Sequence, residues 1–250
     1  MRPLTTLSLI VALCVNTSAL GQDLPKAEEI MDRYVQVTGG KDAYLKLKNR
    51  KVTGRMLMPA ANINGKMTVY QEGKKLRISM DMPGIGLVEQ FCDGENVGEV
   101  NPISGARIME GSERSMVLLQ AHFQADVEWR KLYPKANCTG VKEINGKSCY
   151  VVELETADGF KTTKFFDKET GLLAGENLTY KSQMGDMAVT SVITSYKTFD
   201  GIKLPVETKM SLMSQEMVMK VDAVEHNIEL PANTFEFPPE LKKLLGKPGK

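Results

Sequence analysis

The side chains of this 250-residue chain best suited to acid–base or nucleophilic work are two histidines, His122 and His226, and four cysteines. Neither histidine sits near a cysteine or serine in a nucleophile motif, and G-x-S-x-G and H-E-x-x-H are both absent. His122 lies in the apolar stretch Ala121-His122-Phe123 and reads as a packed or interfacial side chain. His226 follows Glu225 near the end of a strand. Glu153 and Glu155 alternate with Val152 and Leu154, the pattern of a sheet's solvent face. Gly84-Ile85-Gly86 is too short for a dinucleotide loop, and no cysteine pair has the C-x-x-C spacing of a zinc site. The expectation is a protein with no catalytic residue, no metal and no cofactor.

Methionine is the residue whose number and spacing stand out: there are 15. Met56/Met58, Met80/Met82 and Met217/Met219 are two apart within stretches read as strands, so each pair shares a face. Met67, Met187, Met210 and Met213 extend the pattern. A flexible, polarisable thioether suits a surface that takes variable apolar shapes. Taken alone, the pattern is better read as an ordinary core, with methionine filling gaps where sheet meets helix. Against that, a sheet of about ten strands has more apolar face than a few short helices can cover. An incompletely filled face is a candidate apolar cavity.

These residues need a sheet to hold them, and the periodicity supplies one. Ala27 to Lys48 reads as an amphipathic helix, a Gly39-Gly40 break and a second short helix. After Arg50 the period becomes alternating. Val52–Met58, Lys66–Gln71, Leu76–Met82 and Leu87–Cys92 read as strands, with a short piece near Val97–Val100. Gly111 to Tyr133 reads as two helical pieces, Ser112 capping the first and Pro134 ending the second. Trp129 is expected to pack its helix onto the sheet. Seven further strands follow between Thr139 and His226. Hairpin-sized spacing throughout predicts an α+β chain: one strongly curved antiparallel sheet of about ten or eleven strands, covered by the N-terminal helix and the mid-chain helices. No linker or internal repeat divides it, so 22–250 is expected to be a single domain.

The composition is that of a globular chain, 42% hydrophobic and 25% charged, and a net charge of +1 leaves no electrostatic footprint for nucleic acid. Met1-Arg2, the apolar run from Leu7 to Val15 and the small residues Ser18-Ala19-Leu20-Gly21 form the layout of a secretory signal peptide cleaved after Gly21. The apolar run is too short to span a bilayer, and no other stretch approaches that length. Cys14 has Leu13 before it, which disfavours a lipoprotein anchor. The expected mature protein is exported, periplasmic and soluble. It keeps Cys92, Cys138 and Cys149, so at most one disulfide forms. Asn145-Gly146 is a hairpin signal that pairs Lys142 with Cys149 and Glu153 with Cys138, which puts the two cysteines out of bonding register. The C-terminal Lys242, Lys243, Lys247 and Lys250 read as a solvated tail.

Several segments resemble the bacterial outer-membrane lipoprotein-sorting and carrier superfamily, the LolA/LolB-like proteins. Val69-Tyr70-Gln71-Glu72-Gly73-Lys74-Lys75-Leu76-Arg77-Ile78 is similar to the family's stretch with a basic residue before the third strand. Asp93-Gly94 through Asn101-Pro102 resembles its D-G-x-x-x-W-x-x-N-P segment, with Gly98 where the family has tryptophan. Phe166 to Leu173, Asp200-Gly201 to Pro205, and Ala232 to Pro239 resemble later family segments in the family's order. The resemblance implies an open antiparallel half-barrel closed by helices, around an apolar cavity for acyl chains, with no covalent chemistry. Its ligand would be lipid or lipoprotein acyl chains, passed between inner- and outer-membrane donor and acceptor proteins by a monomer. On that shape, the strand period places Met56, Met58, Met67, Ile78, Met80, Met210, Met217 and Met219 on the cavity face. A basic residue helps hold the lid in carriers of this kind, and the resemblance makes Lys74 or Lys75 the nearest match, with Arg77 further on. The alternative is an envelope interaction module with a filled core and no lipid ligand. An enzyme would need convergent polar groups that the sequence does not display.

Overall fold

The computed structural model describes residues 24–182 and 185–246. The expected signal peptide at 1–21 and the last two tail lysines lie outside the described residues.

The amphipathic stretch forms α1 (Ala27–Val37), and the Gly-Gly break leads into α2 (Lys41–Leu45). Six strands follow: β1 (Asn49–Met58), β2 (Ile63–Glu72), β3 (Lys75–Met82), β4 (Gly86–Cys92), β5 (Val97–Asn101) and β6 (Gly105–Ile108). Two helices, α3 (Gly111–Ala121) and α4 (Trp129–Leu132), lead to β7 (Lys135–Ile144), β8 (Lys147–Glu155), β9 (Lys161–Asp167) and β10 (Leu173–Ser182). The chain continues through β11 (Gly185–Phe199), β12 (Ile202–Leu212), β13 (Gln215–His226) and α5 (Pro239–Leu245). All 13 strands form one antiparallel sheet in the order β6-β5-β4-β3-β2-β1-β13-β12-β11-β10-β9-β8-β7. The count exceeds the expected ten or eleven. The short piece at Val97 is a full strand, and β6, only four residues long, gives no alternation to read. The two halves join at β1, which pairs with both β2 and β13.

The sheet is bent and open. Six strand steps separate β3 from β10 in that order. In a flat sheet that would be about 29 Å. Helix α3, about 16 Å long, nevertheless contacts β3, β4, β5 and β10. Its Ser112 Oγ accepts the Lys181 N–H at 2.7 Å, while Arg114 donates to the Glu95 carbonyl at 2.7 Å. The two halves of the sheet therefore face one another across this helix. Ser112 is not the helix cap, as the cap position is Glu110 and its side chain makes no capping bond. Ser112 ties the helix to the opposite wall instead.

Glycine permits the bend. Between Thr53 and Gly54 the register against β13 slips, leaving Asp222 bulged out to pair with Arg55 at 2.8 Å. A Cβ on Gly54 would stand 2.2 Å from the Lys220 carbonyl oxygen, so only glycine fits there.

The core lies on the inner, helix-covered face. One cluster joins Ile30, Met31, Tyr34 and Trp129 of the helices to Val152, Leu154 and Phe166 of the sheet. Trp129 thus packs its helix onto the sheet as expected, and its indole N–H donates to Asp32 at 3.3 Å. A second cluster sets Val117 and Ala121 of α3 against Leu76, Cys92 and Val97. On the outer face α5 packs Leu241 against Phe91. Leu241 also explains Gly98, where a Cβ would meet its Cδ1 at 2.8 Å.

The Asn145-Gly146 hairpin pairs Lys142 with Cys149 as expected. Further along, a bulge between Cys138 and Gly140 moves Cys138 opposite Val152 instead of Glu153. Cys149 then joins the outer cluster and Cys138 the inner one, and all three described cysteines are free thiols.

Acid is expected to loosen α3. Asp158, in the β8–β9 turn, accepts hydrogen bonds from Ser115 of α3 and from Thr156, and these hold its carboxyl below the usual range. A carboxyl depressed by folding stabilises above its unfolded pKa of about 3.9, and that contribution disappears as pH falls through the folded value. Urea midpoints measured from neutral pH down to roughly pH 3 should therefore fall less steeply for Asp158→Asn than for the parent below about pH 4. Parallel curves would show that this contact does not couple folding to protons.

Candidate functional site

Direct cross-strand partners share a face, so the register shows which residues line the inner surface. Met80 pairs with Met67, and Met67 with Gly54. Met56 pairs with Met219, and Met219 with Thr208. Met217 pairs with Met210. Ile78 pairs with Val69, and both pack against α3. Met58 lies two residues from Met56 and shares its face. All eight residues expected on the cavity face thus lie on one face, the one that α3 crosses.

Their exposure is uneven. Met56 and Met67 are buried at 9% and 5%, and Ile78 lies beneath α3. Met58, Met80, Met210, Met217 and Met219 are only half-buried. The sequence reading omits Met82 from the lining. It is buried on the same face over Gly65, whose missing Cβ would fall 2.1 Å from the Met82 sulfur.

The two ends of the strands differ. At the methionine end the turns at 59–62, 83–85, 102–104 and 213–214 contain no charged residue, although the β8–β9 turn at the same end carries Asp158, and Ile103 and Met213 are 78% and 61% exposed. At the other end the turns at 73–74, 93–96, 168–172 and 200–201 carry charge, and only the tight Asn145-Gly146 turn among the described ones does not. Among the described residues no helix is long and apolar enough to cross a membrane.

The basic residues fall differently from expectation. Arg77 alternates with Ile78 and so points to the outer face, where it pairs with Glu89 at 2.7 Å and lies over Phe91. Lys74 is exposed in the β2–β3 turn, and its backbone carbonyl accepts from the Cys92 thiol. An arginine on the inner face beside the end of α3 is Arg50, two residues before Val52. It donates to Gln71, whose amide donates to the Gln120 carbonyl at the end of α3, and its guanidinium lies over Phe123. Burial pulls the Arg50 pKa below its ordinary value, against the pull of Asp126 and of the Tyr44 and Tyr34 phenols. The sequence reading starts β1 at Val52 and so leaves Arg50 outside the alternation that would have placed it inward.

Four tyrosines, Tyr34, Tyr44, Tyr133 and Tyr196, lie around these groups, all with pKa values raised chiefly by burial. The histidines stand apart. His122 contacts Glu128 at 2.7 Å, and the buried His226 contacts Asp200 at 2.8 Å. A cavity of about 950 Å3 lies beside the groove, between the start of α3, the β8–β9 turn and the ends of β10 and β11. None of the eight expected residues lines it. What the methionine face offers chemically is a flexible apolar floor, partly open, beyond the part of the face that the helices cover.

No protein-family model matches this chain, and no curated protein is significantly similar to it in sequence. Solved structures do match. A LolA superfamily protein from Nitrosomonas europaea superposes with a TM-score of 0.56 at 17% identity, covering 85% of this chain and 98% of its own. A DUF1329 family protein from Desulfovibrio piger gives 0.54 at 13% identity, covering 84% of this chain and 97% of its own. An outer membrane lipoprotein-sorting protein domain from Vibrio parahaemolyticus gives 0.53 at 13% identity, covering 88% and 99%. The chain has the LolA-like fold.

Proposed function

We propose that this chain is a non-catalytic carrier or binding protein for a hydrophobic ligand, lipid or lipoprotein acyl chains, held on the methionine face. On this reading it is exported to the periplasm after cleavage following Gly21, and works as a monomer in lipid or lipoprotein trafficking between membranes. The observation that carries it is the half-buried state of Met58, Met80, Met210, Met217 and Met219 on a face whose other end is packed under helices. An ordinary core would bury them. The turns at 59–62, 83–85, 102–104 and 213–214, over the β1–β6 and β12–β13 part of the sheet, put no charged turn residue in the way of an alkyl chain there. The fold shared with a lipoprotein-sorting domain supports the reading.

Titrating the mature protein with an environment-sensitive fluorescent fatty acid tests it. Saturable enhancement near one probe per chain, competed by phospholipid or lipopeptide, is the expected outcome. No enhancement would favour an interaction module that binds protein and not lipid.

A further inference from the structure

The methionine floor does not stay apolar across the sheet. One cross-strand row runs Met217, Met210, Ser191, Glu176, Lys164 and Val152, each residue the direct partner of the next. Four strand steps, roughly 19 Å along the sheet, therefore separate Lys164 from Met217. An acyl chain, which spans half of a hydrocarbon core about 30 Å thick, would cover about 15 Å of that distance.

Lys164 differs from the other inner-face cations. Arg107 is neutralised by Glu99 at 3.1 Å and Glu113 at 2.7 Å. Arg50 has Gln71 as its hydrogen-bond partner. Among the described residues, the Lys164 ammonium has no hydrogen-bond or ion-pair partner and lies only over the Tyr133 ring, 5.8 Å from its centre. The Glu176 carboxylate beside it is engaged by the Thr162 hydroxyl at 2.6 Å. Lys164 lies deep in the fold, yet part of its surface remains open to water, as for a side chain that lines an internal space. It stays charged there. Burial opposes the charge, but the Tyr133 phenol, Glu176 and Asp126 more than offset that and raise its pKa. A charged ammonium held deep with no direct ion pair, while the Glu176 carboxylate beside it is engaged by Thr162, attracts an anion.

We propose that Lys164 anchors the anionic head group of an amphiphile whose alkyl chain lies along this row toward Met217. The inference rests on the carrier reading and narrows it to ligands with a carboxylate or phosphate at one end of the chain.

The test is competition for the mature protein between palmitate and hexadecanol, which share a chain and differ in head-group charge, in the parent, Lys164→Gln and Lys164→Arg. The parent should prefer palmitate by about tenfold. Lys164→Gln should abolish that preference while still binding hexadecanol, and Lys164→Arg should keep it. Equal affinities in the parent, or a preference unchanged in Lys164→Gln, would overturn the head-group assignment and leave the carrier reading standing. Failure of the parent to bind either compound would overturn both. If Lys164→Gln does not fold, Lys164→Met, which keeps the apolar stem beside Tyr133, takes its place with the same expected and overturning outcomes.

Discussion

Met80→Asp and Met217→Asp should each cut affinity for an acyl ligand by about thirtyfold, with the fold intact. Met80 stands between Met67 and Val88, and Met217 opposite Met210, so both lie on the methionine floor from opposite halves of the sheet. Each carboxylate would lie against the chain, forfeiting contact with two or three methylenes at about 0.8 kcal/mol each. Roughly 2 kcal/mol corresponds to that thirtyfold change. Because both side chains are half-buried, the new charge keeps water in the free protein and the stability cost stays near 1 kcal/mol. Leu45→Asp, on the exposed side of α2 at 55% exposure, should leave binding unchanged. Equal affinities across all three variants, with circular dichroism showing them folded, would remove these methionines from the ligand site.

The largest stability effect should come from Gly54→Val. Its Cβ would lie 2.2 Å from the Lys220 carbonyl oxygen and 3.2 Å from Val221 Cα, both backbone atoms of the neighbouring strand. A flexible side chain could swing aside, but two paired strands in mid-sheet cannot separate without breaking the β1–β13 ladder that joins the halves. The expected cost is about 3 kcal/mol or more, read as a melting temperature roughly 6–12 °C lower. Gly140→Ala has nothing within 4 Å of the new methyl and should change stability by less than about 0.5 kcal/mol. A Gly54→Val protein melting with the parent would mean that the sheet bends elsewhere.

Much of this architecture is legible in the residues because its turns are. Asn145-Gly146 sets the β7–β8 register as far as Gly140 and Val151, and the alternation of Met56 with Met58 and of Met80 with Met82 sets which face they share. What the local pattern does not carry is irregularity and long-range closure. The bulge after Cys138 changes a register with no glycine or proline at the slipped residue to mark it. The four residues of β6 are held by pairing with β5 and by α5, which arrives from more than a hundred residues away. Arg77 is a different case. Alternation that turns Ile78 and Met80 inward turns Arg77 outward, so a regular β3 already excludes it from the cavity. Arg50 and Lys164 are hidden because a charged residue at an inward position contradicts the hydrophobic period that identifies the face. Such contradictions are expected where a fold serves a function rather than stability.

The central claim is that the methionine face holds an acyl ligand. Native mass spectrometry of residues 22–250, produced in bacteria and purified without detergent, paired with lipid extraction, tests it most directly. The account predicts an acylated species bound at near one-to-one stoichiometry, retained in the parent and lost from the Met80→Asp and Met217→Asp variants. A clean ligand-free mass, with no uptake of added phospholipid or lipopeptide, would contradict it.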